Sequence, residues 1–145
     1  MRKPKTQVQI DKATDARLLK KYGVGVAYYN SQIEKQGGGC KICRSTPKTR
    51  RLHIDHDHGW VKVPVRAEKT VMGWGAEAFY RGQWIRGVAF QSKRDAVRFV
   101  KDLLKVASIR GLLCFGCNPG LRCFGDSPER LRAAAKYLED HQGVV

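Results

Sequence analysis

Leu52-His53-Ile54-Asp55-His56-Asp57-His58 is the stretch on which the reading of this chain turns. Five of its seven residues can bind a metal or move a proton, and three of the chain's four histidines are here. A strand does not gather that composition for packing, because burying Asp55 or Asp57 unpaired costs on the order of several kcal/mol. A surface His/Asp turn and a second structural metal site are the bland alternatives. The chemistry that uses these types together is phosphodiester hydrolysis. A hard cation such as Mg²⁺ takes one or two protein oxygens and keeps water and phosphate as its other ligands. A neutral histidine beside it deprotonates water near neutral pH.

On either side of this stretch stand two C-x-x-C knuckles, Cys40/Cys43 and Cys114/Cys117, about seventy residues apart. Two-residue spacing lets both thiolates of a knuckle reach one ion, and four soft donors in a tetrahedron select Zn²⁺. Such a closed site holds a fold and performs no chemistry. A redox dithiol or four unrelated buried cysteines would be the other readings. Cys123 falls outside the pattern and reads as a buried free thiol.

Further out, Lys12 to Tyr22 suits a short helix closed by Gly23, preceded by a loose basic arm over residues 1–10. A second helix is expected from Val26 to Gln36, ended by Gly37, Gly38 and Gly39. Arg50 to His58 reads as a strand running into a turn. Strict alternation would put Asp55 and His56 on opposite faces, so the chain must bend there. Trp60 to Phe90 has the β-branched, aromatic and glycine-punctuated character of a small antiparallel meander. Ser92 then caps a helix that runs to about Ala107. Asn118 reads either as an N-cap or as a metal ligand. A last helix starts after Asp126-Ser127, with Pro128 in its first turn.

Composition narrows the partner. Of 145 residues, 28 are Lys or Arg and 13 are Asp or Glu, a formal charge of +15. That excess repels itself unless a polyanion is near; nucleic acid is the first candidate and an acidic membrane surface the second. No stretch approaches the ~20 apolar residues of a membrane span. The basic N-terminus lacks the apolar core of a secretory signal. An intracellular protein with reduced thiols is therefore expected, in the host cytoplasm if phage-encoded.

Leu-His-Ile-Asp-His-Asp-His after a first C-x-x-C, followed by Arg110-Gly-Leu-Leu-Cys114-x-x-Cys117-Asn118, resembles the phage recombination endonuclease VII family. That family belongs to the His-Me finger (HNH-like, ββα-metal) nucleases. The likeness extends to Lys20-Lys-Tyr-Gly23 upstream and to Phe124-Gly-Asp-Ser-Pro-Glu-Arg-Leu131 downstream. It implies an α+β fold: a zinc-stabilised His-Me finger core over residues 1–58 and 108–145, with a sheet-plus-helix insert over 59–107. It implies that Asp55 and Asn118 bind a catalytic Mg²⁺ or Mn²⁺ and that His56 is the general base. His58 and His53 would be auxiliary.

Two departures stand out. The family's compact pattern brings the His/Asp strand within a few residues of Arg-Gly-Leu-Leu-Cys, whereas about fifty residues intervene here. The inserted unit faintly resembles the ethylene-response-factor type of DNA-binding domain. Arg81, Arg86, Lys93 and Arg94 are its candidate phosphate contacts, with Trp74, Tyr80 and Trp84 among them; a decorative subdomain with its own small core is the alternative. Second, the chain stops soon after its last expected helix, without the long dimerisation helices of the best-known relative. Either the first two helices supply a homodimer interface or the protein nicks as a monomer. The expected function is a metal-dependent DNA endonuclease, selective for branched DNA in the manner of Holliday-junction resolution. A nicking or homing-type HNH nuclease and a non-catalytic zinc-stabilised DNA-binding protein are the competitors.

Overall fold

The computed structural model describes residues 7–46 and 51–141. Helix α1 spans Gln7–Tyr22, starting before the expected Lys12, so part of the expected arm is helical and residues 1–6 lie outside the described residues. Gly23 closes it at φ 73°, returning its N–H to the Leu19 carbonyl at 2.9 Å. Helix α2 (Val26–Lys35) follows at once. Its N-cap, Gly25, has no side chain to offer, and Asp15 of α1 accepts the Val26 N–H at 2.7 Å instead. A carboxylate there also complements the helix dipole.

Strand β1 (His53–His56) is shorter than expected. Residues 47–50 lie outside the described residues, and at the far end Asp57 leaves the strand to accept the Gly59 N–H at 2.8 Å. That cap opens a 3₁₀ turn, His58–Lys62, which takes Trp60 out of the expected meander. The meander itself is present as β2 (Arg66–Thr70), β3 (Gly73–Tyr80) and β4 (Gln83–Phe90), antiparallel in that order. Its β3–β4 connection is the two-residue Arg81–Gly82, both at positive φ (51° and 79°), as a type I′ hairpin requires.

Helix α3 (Lys93–Ala107) has the expected cap, with Ser92 Oγ accepting the Asp95 N–H at 3.1 Å. It covers one face of the meander. Ala96, Val100 and Leu104, all fully buried, meet Ala76, Ala78 and Tyr80 of β3. Gly87 permits that approach, since a Cβ there would sit 2.5 Å from Phe99. The opposite face is open. Cross-strand pairs Phe79–Trp84 and Glu77–Arg86 lie on it, with both aromatic rings exposed.

The chain then returns as β5 (Ile109–Leu113), which pairs antiparallel with β1 across the meander and α3. Helix α4 (Cys117–Cys123) and helix α5 (Pro128–Glu139) complete the described chain. Ser127 caps α5 and Pro128 stands in its first turn, as expected, but none of its residues is buried. The class is α+β, with two small antiparallel sheets. Two cores result. One joins Leu18, Val24 and Tyr29 to Leu52, Ile54, Leu112 and Leu113; the other belongs to the meander and α3. The Tyr29 hydroxyl, donating to the buried Leu52 carbonyl at 2.9 Å, ties α2 to the entry of β1.

Candidate functional site

The two knuckles converge. The sulfurs of Cys40, Cys43, Cys114 and Cys117 all lie within 4.8 Å of one another, and those of Cys43 and Cys114 are 3.7 Å apart. Four sulfurs each ~2.3 Å from a tetrahedral ion sit ~3.8 Å apart, so the cluster has the size of a zinc site. Burial with the neighbouring thiols pushes Cys117 up to about 12, whereas hydrogen bonds from Ser45 draw Cys43 down to about 6. The knuckle loops are fixed by long-range bonds. Gln36 donates to Leu112 O at 3.0 Å and accepts from Leu112 N at 2.8 Å, satisfying an edge of β5 with one amide. Cys123 corrects the expectation of a buried thiol: it is exposed at the end of α4.

The His/Asp stretch sits on β1, and its bend is visible in the strand register. Asp55 pairs with Gly111 but His56 pairs with Ile109, leaving Arg110 as the extra residue of a bulge. Bulges re-aim side chains, and this one sends Arg110 onto Asp55. Arg110 Nε and Nη2 donate to the two Asp55 oxygens at 2.7 and 2.8 Å, and Nη2 reaches Asp126 at 3.2 Å. Asp55 is buried, so the fork supplies the pairing that its charge requires. Gly111 beside it stands at φ 152°, where a Cβ would meet Lys41 at 2.8 Å.

His56 is half-buried between Tyr22, whose ring meets it edge-on at 5.4 Å, and His58, whose ring lies 4.4 Å away. Burial first, and the nearby His58 second, lower its pKa below the ordinary histidine value, against the pull of Asp55. The surroundings thus favour its neutral form. His58 and His53 are exposed. Asn118 is the second residue of α4, behind the N-cap Gly116, so it does not cap that helix. Its backbone N–H donates to Cys114 O at 3.1 Å. Among the described residues no hydrogen bond joins its side chain to Asp55, His56 or His58, although strand pairing and the second knuckle place α4 directly after β5. Beside this group, a cleft of about 460 Å³ runs between α1 and β1. Arg17, Lys21 and Arg51 line it together with His53, and Tyr22 connects it to His56.

Of the four insert cations, Arg81 lies 3.6 Å from Asp57, Arg86 pairs with Glu77 at 3.0 Å and crosses the Trp84 ring at 4.9 Å, and Lys93 sits over Trp74 at 5.9 Å. Arg94 is exposed on the first turn of α3. They are thus spread over the hairpin tip, the open sheet face and the helix start.

The model of the recombination endonuclease VII family matches residues 15–140. The chain belongs to that family. Two Gene 59 proteins are similar to it, from Mycobacterium phage D29 (33% identical over 91 residues) and Mycobacterium phage L5 (37% over 68). The matched spans are 59% and 43% of this chain, and 54% and 42% of the relatives, about half of their length. Their names state no activity. No solved structure matches. Arg110 and Asp126 are site neighbours that the sequence reading did not assign to the site, and Tyr80 was read only as an aromatic among the insert's cations. Arg110 lay in the motif Arg-Gly-Leu-Leu-Cys, and its place beside a glycine in that motif was the available signal.

Proposed function

We propose that this endonuclease VII family member is a metal-dependent DNA endonuclease whose β1–β5–α4 unit works as a His-Me finger. The observation that carries the reading is a half-buried His56 placed next to a buried carboxylate, at a strand bulge. Cys40, Cys43, Cys114 and Cys117 would hold a structural Zn²⁺, because their spacing fits a closed tetrahedral site. Asp55 and Asn118 would hold the catalytic Mg²⁺ or Mn²⁺. Carboxylate and carboxamide oxygens suit a hard ion, and each Asp55 oxygen retains a lone pair beyond its bond to Arg110. Such an ion, when bound, stabilises charge on the phosphate and the leaving oxygen.

The chain's own residues supply the rest. His56 accepts a proton from the attacking water, and its depressed pKa keeps it unprotonated at neutral pH. His58, exposed beside it, faces the solvent from which the backbone arrives. Arg110 supplies positive charge next to Asp55, and the Arg17–Lys21–Arg51 cleft, with Arg81, Arg86, Lys93 and Arg94 on the insert, offers phosphate contacts. No helix of the described residues is long and apolar enough to cross a membrane. We take the substrate as DNA, the polyanion that the +15 charge and the family favour, branched in preference to linear. Paired incision of a junction would need a homodimer, whereas nicking would not.

Incubation of the zinc-loaded chain with four-way junction, nicked duplex and linear duplex, each with Mg²⁺, Mn²⁺ or EDTA, tests the reading. His56→Ala should lower the cleavage rate ~10²- to 10⁴-fold while leaving zinc content and DNA affinity intact. Wild-type rates in that variant would refute His56 as the base. A wild type that cuts nothing under any condition would leave a zinc-stabilised DNA-binding protein.

A further inference from the structure

The insert reaches back to the site. At its β3–β4 tip the Tyr80 hydroxyl donates to Asp57 Oδ2 at 2.9 Å, and the Arg81 guanidinium stands 3.6 Å from the same oxygen. The other oxygen, Oδ1, accepts from Gly59 N–H at 2.8 Å, and the Asp57 N–H donates to the Ser108 carbonyl at 2.9 Å. One residue is thus tied to its own turn, to the inserted hairpin and to the end of α3. It is also the residue between His56 and His58.

We propose that Tyr80 and Arg81 are positioning residues of the nuclease site, acting through Asp57 to fix the turn that carries His56 and His58. The inference rests on the nuclease reading of those histidines, but the clamp is a property of this chain's insert alone. Tyr80 is built for it. Its ring is buried in the core under α3, so the hydroxyl is a rigid post that does not follow the turn if the turn moves. Arg81 occupies a left-handed conformation that L side chains rarely adopt (φ 51°), and from there its guanidinium meets Asp57. The two histidine rings are 4.4 Å apart across Asp57, so a rotation at that residue displaces both. A simple turn cap would need only the Gly59 bond. The second oxygen is engaged by a separate layer of the molecule.

The insert is, on this view, a brace for the site, whatever DNA it also touches. It explains how some fifty residues can interrupt a compact nuclease motif without loosening it. The orientation of the base is then set by a hairpin far from it in sequence.

The test uses Tyr80→Phe, which keeps the buried ring and removes the hydroxyl, together with Asp57→Asn and the double variant. In the zinc-loaded full chain each single change should lower kcat about 10- to 100-fold with KM for DNA unchanged, since small misplacements of a catalytic group cost that much. The double variant should be no worse than Asp57→Asn, because both remove one interaction. Arg81→Lys should restore part of what Arg81→Ala loses. Independently of cleavage, the ring-proton NMR signals of His56 and His58 should shift in Tyr80→Phe while that of His141 stays. Wild-type kcat in Tyr80→Phe, or unshifted His56 and His58 signals, would overturn the proposal. If the wild type does not cut, the nuclease reading fails by itself, and the NMR comparison still decides whether the clamp exists.

Discussion

The two cores of this protein are assembled by opposite means. The first collects Leu18 and Tyr29 from the N-terminal helices, Leu52 and Ile54 from β1, and Leu112 and Leu113 from β5, segments separated by up to about ninety residues. It lies against the four-cysteine cluster, whose Cys40 is fully buried within it. The second is made almost entirely by one run of chain, from β2 through α3, with short connections and a tight hairpin. Local contacts close little loop entropy, whereas the first core must close a long one before β1 and β5 can pair. A metal held by both knuckles would offset that cost. The half that carries the candidate chemistry is the half that such a metal would support.

The largest effect should come from removing that support. Cys114→Ser, or prolonged chelation, should unfold the first core, because metal binding at a closed thiolate site is folding free energy on the order of 10 kcal/mol. The three tryptophans, Trp60, Trp74 and Trp84, all lie in the insert or its approach. Their emission should therefore survive longer than the helical circular dichroism as zinc is withdrawn. One coincident transition by both probes would show that the cores are a single cooperative unit.

Leu104→Ala strikes the other side. Leu104 is fully buried at the centre of the second core, and truncation there should cost ~2–5 kcal/mol. Zinc stoichiometry should stay at one per chain while the tryptophan signal melts earlier. Loss of zinc in that variant would mean that α3 transmits the damage through Val106, which packs on the first core.

The smallest effect concerns the link between the two halves. Asp57 has its pKa lowered, first by the Gly59 N–H and also by Tyr80 and Arg81. Its contribution is thus present above the ordinary carboxylate range and is lost as pH falls through the depressed value. Its side chain is more than a third exposed, so solvent screening holds the contribution under about 1 kcal/mol. Thermal melts of wild type and Asp57→Asn should differ slightly at pH 7 and converge as pH falls below the ordinary carboxylate range and through the depressed value. A gap that persists once the carboxyl is protonated would assign the difference to packing instead of charge.

Much of this was legible along the chain. Two C-x-x-C knuckles announce a common ligand because the spacing leaves the thiolates little else to do, and the structure brings all four sulfurs together. Ser92 and Ser127-Pro128 mark helix starts through local hydrogen bonding that needs no tertiary context. Other features were not local. The alternative reading of Asn118 as an N-cap gave way to Gly116, because the second knuckle already winds as helix before Asn118 is reached. Cys123 is exposed at the end of α4, none of whose residues is buried, a property of packing and not of residue type.

What the sequence determined by itself is therefore the inventory: the thiolate pairs, the His/Asp stretch, the meander and its helix, and the surplus of positive charge. Each follows from residue type and short-range spacing. What only the tertiary structure decided is who meets whom. Arg110 meets Asp55 because a bulge spends one residue of β5, and Tyr80 meets Asp57 because a hairpin tip, twenty-three residues away, folds back to the turn. Those pairings depend on strand register and on the packing of α3 across the sheet, quantities summed over many weak contacts that no short stretch of sequence encodes.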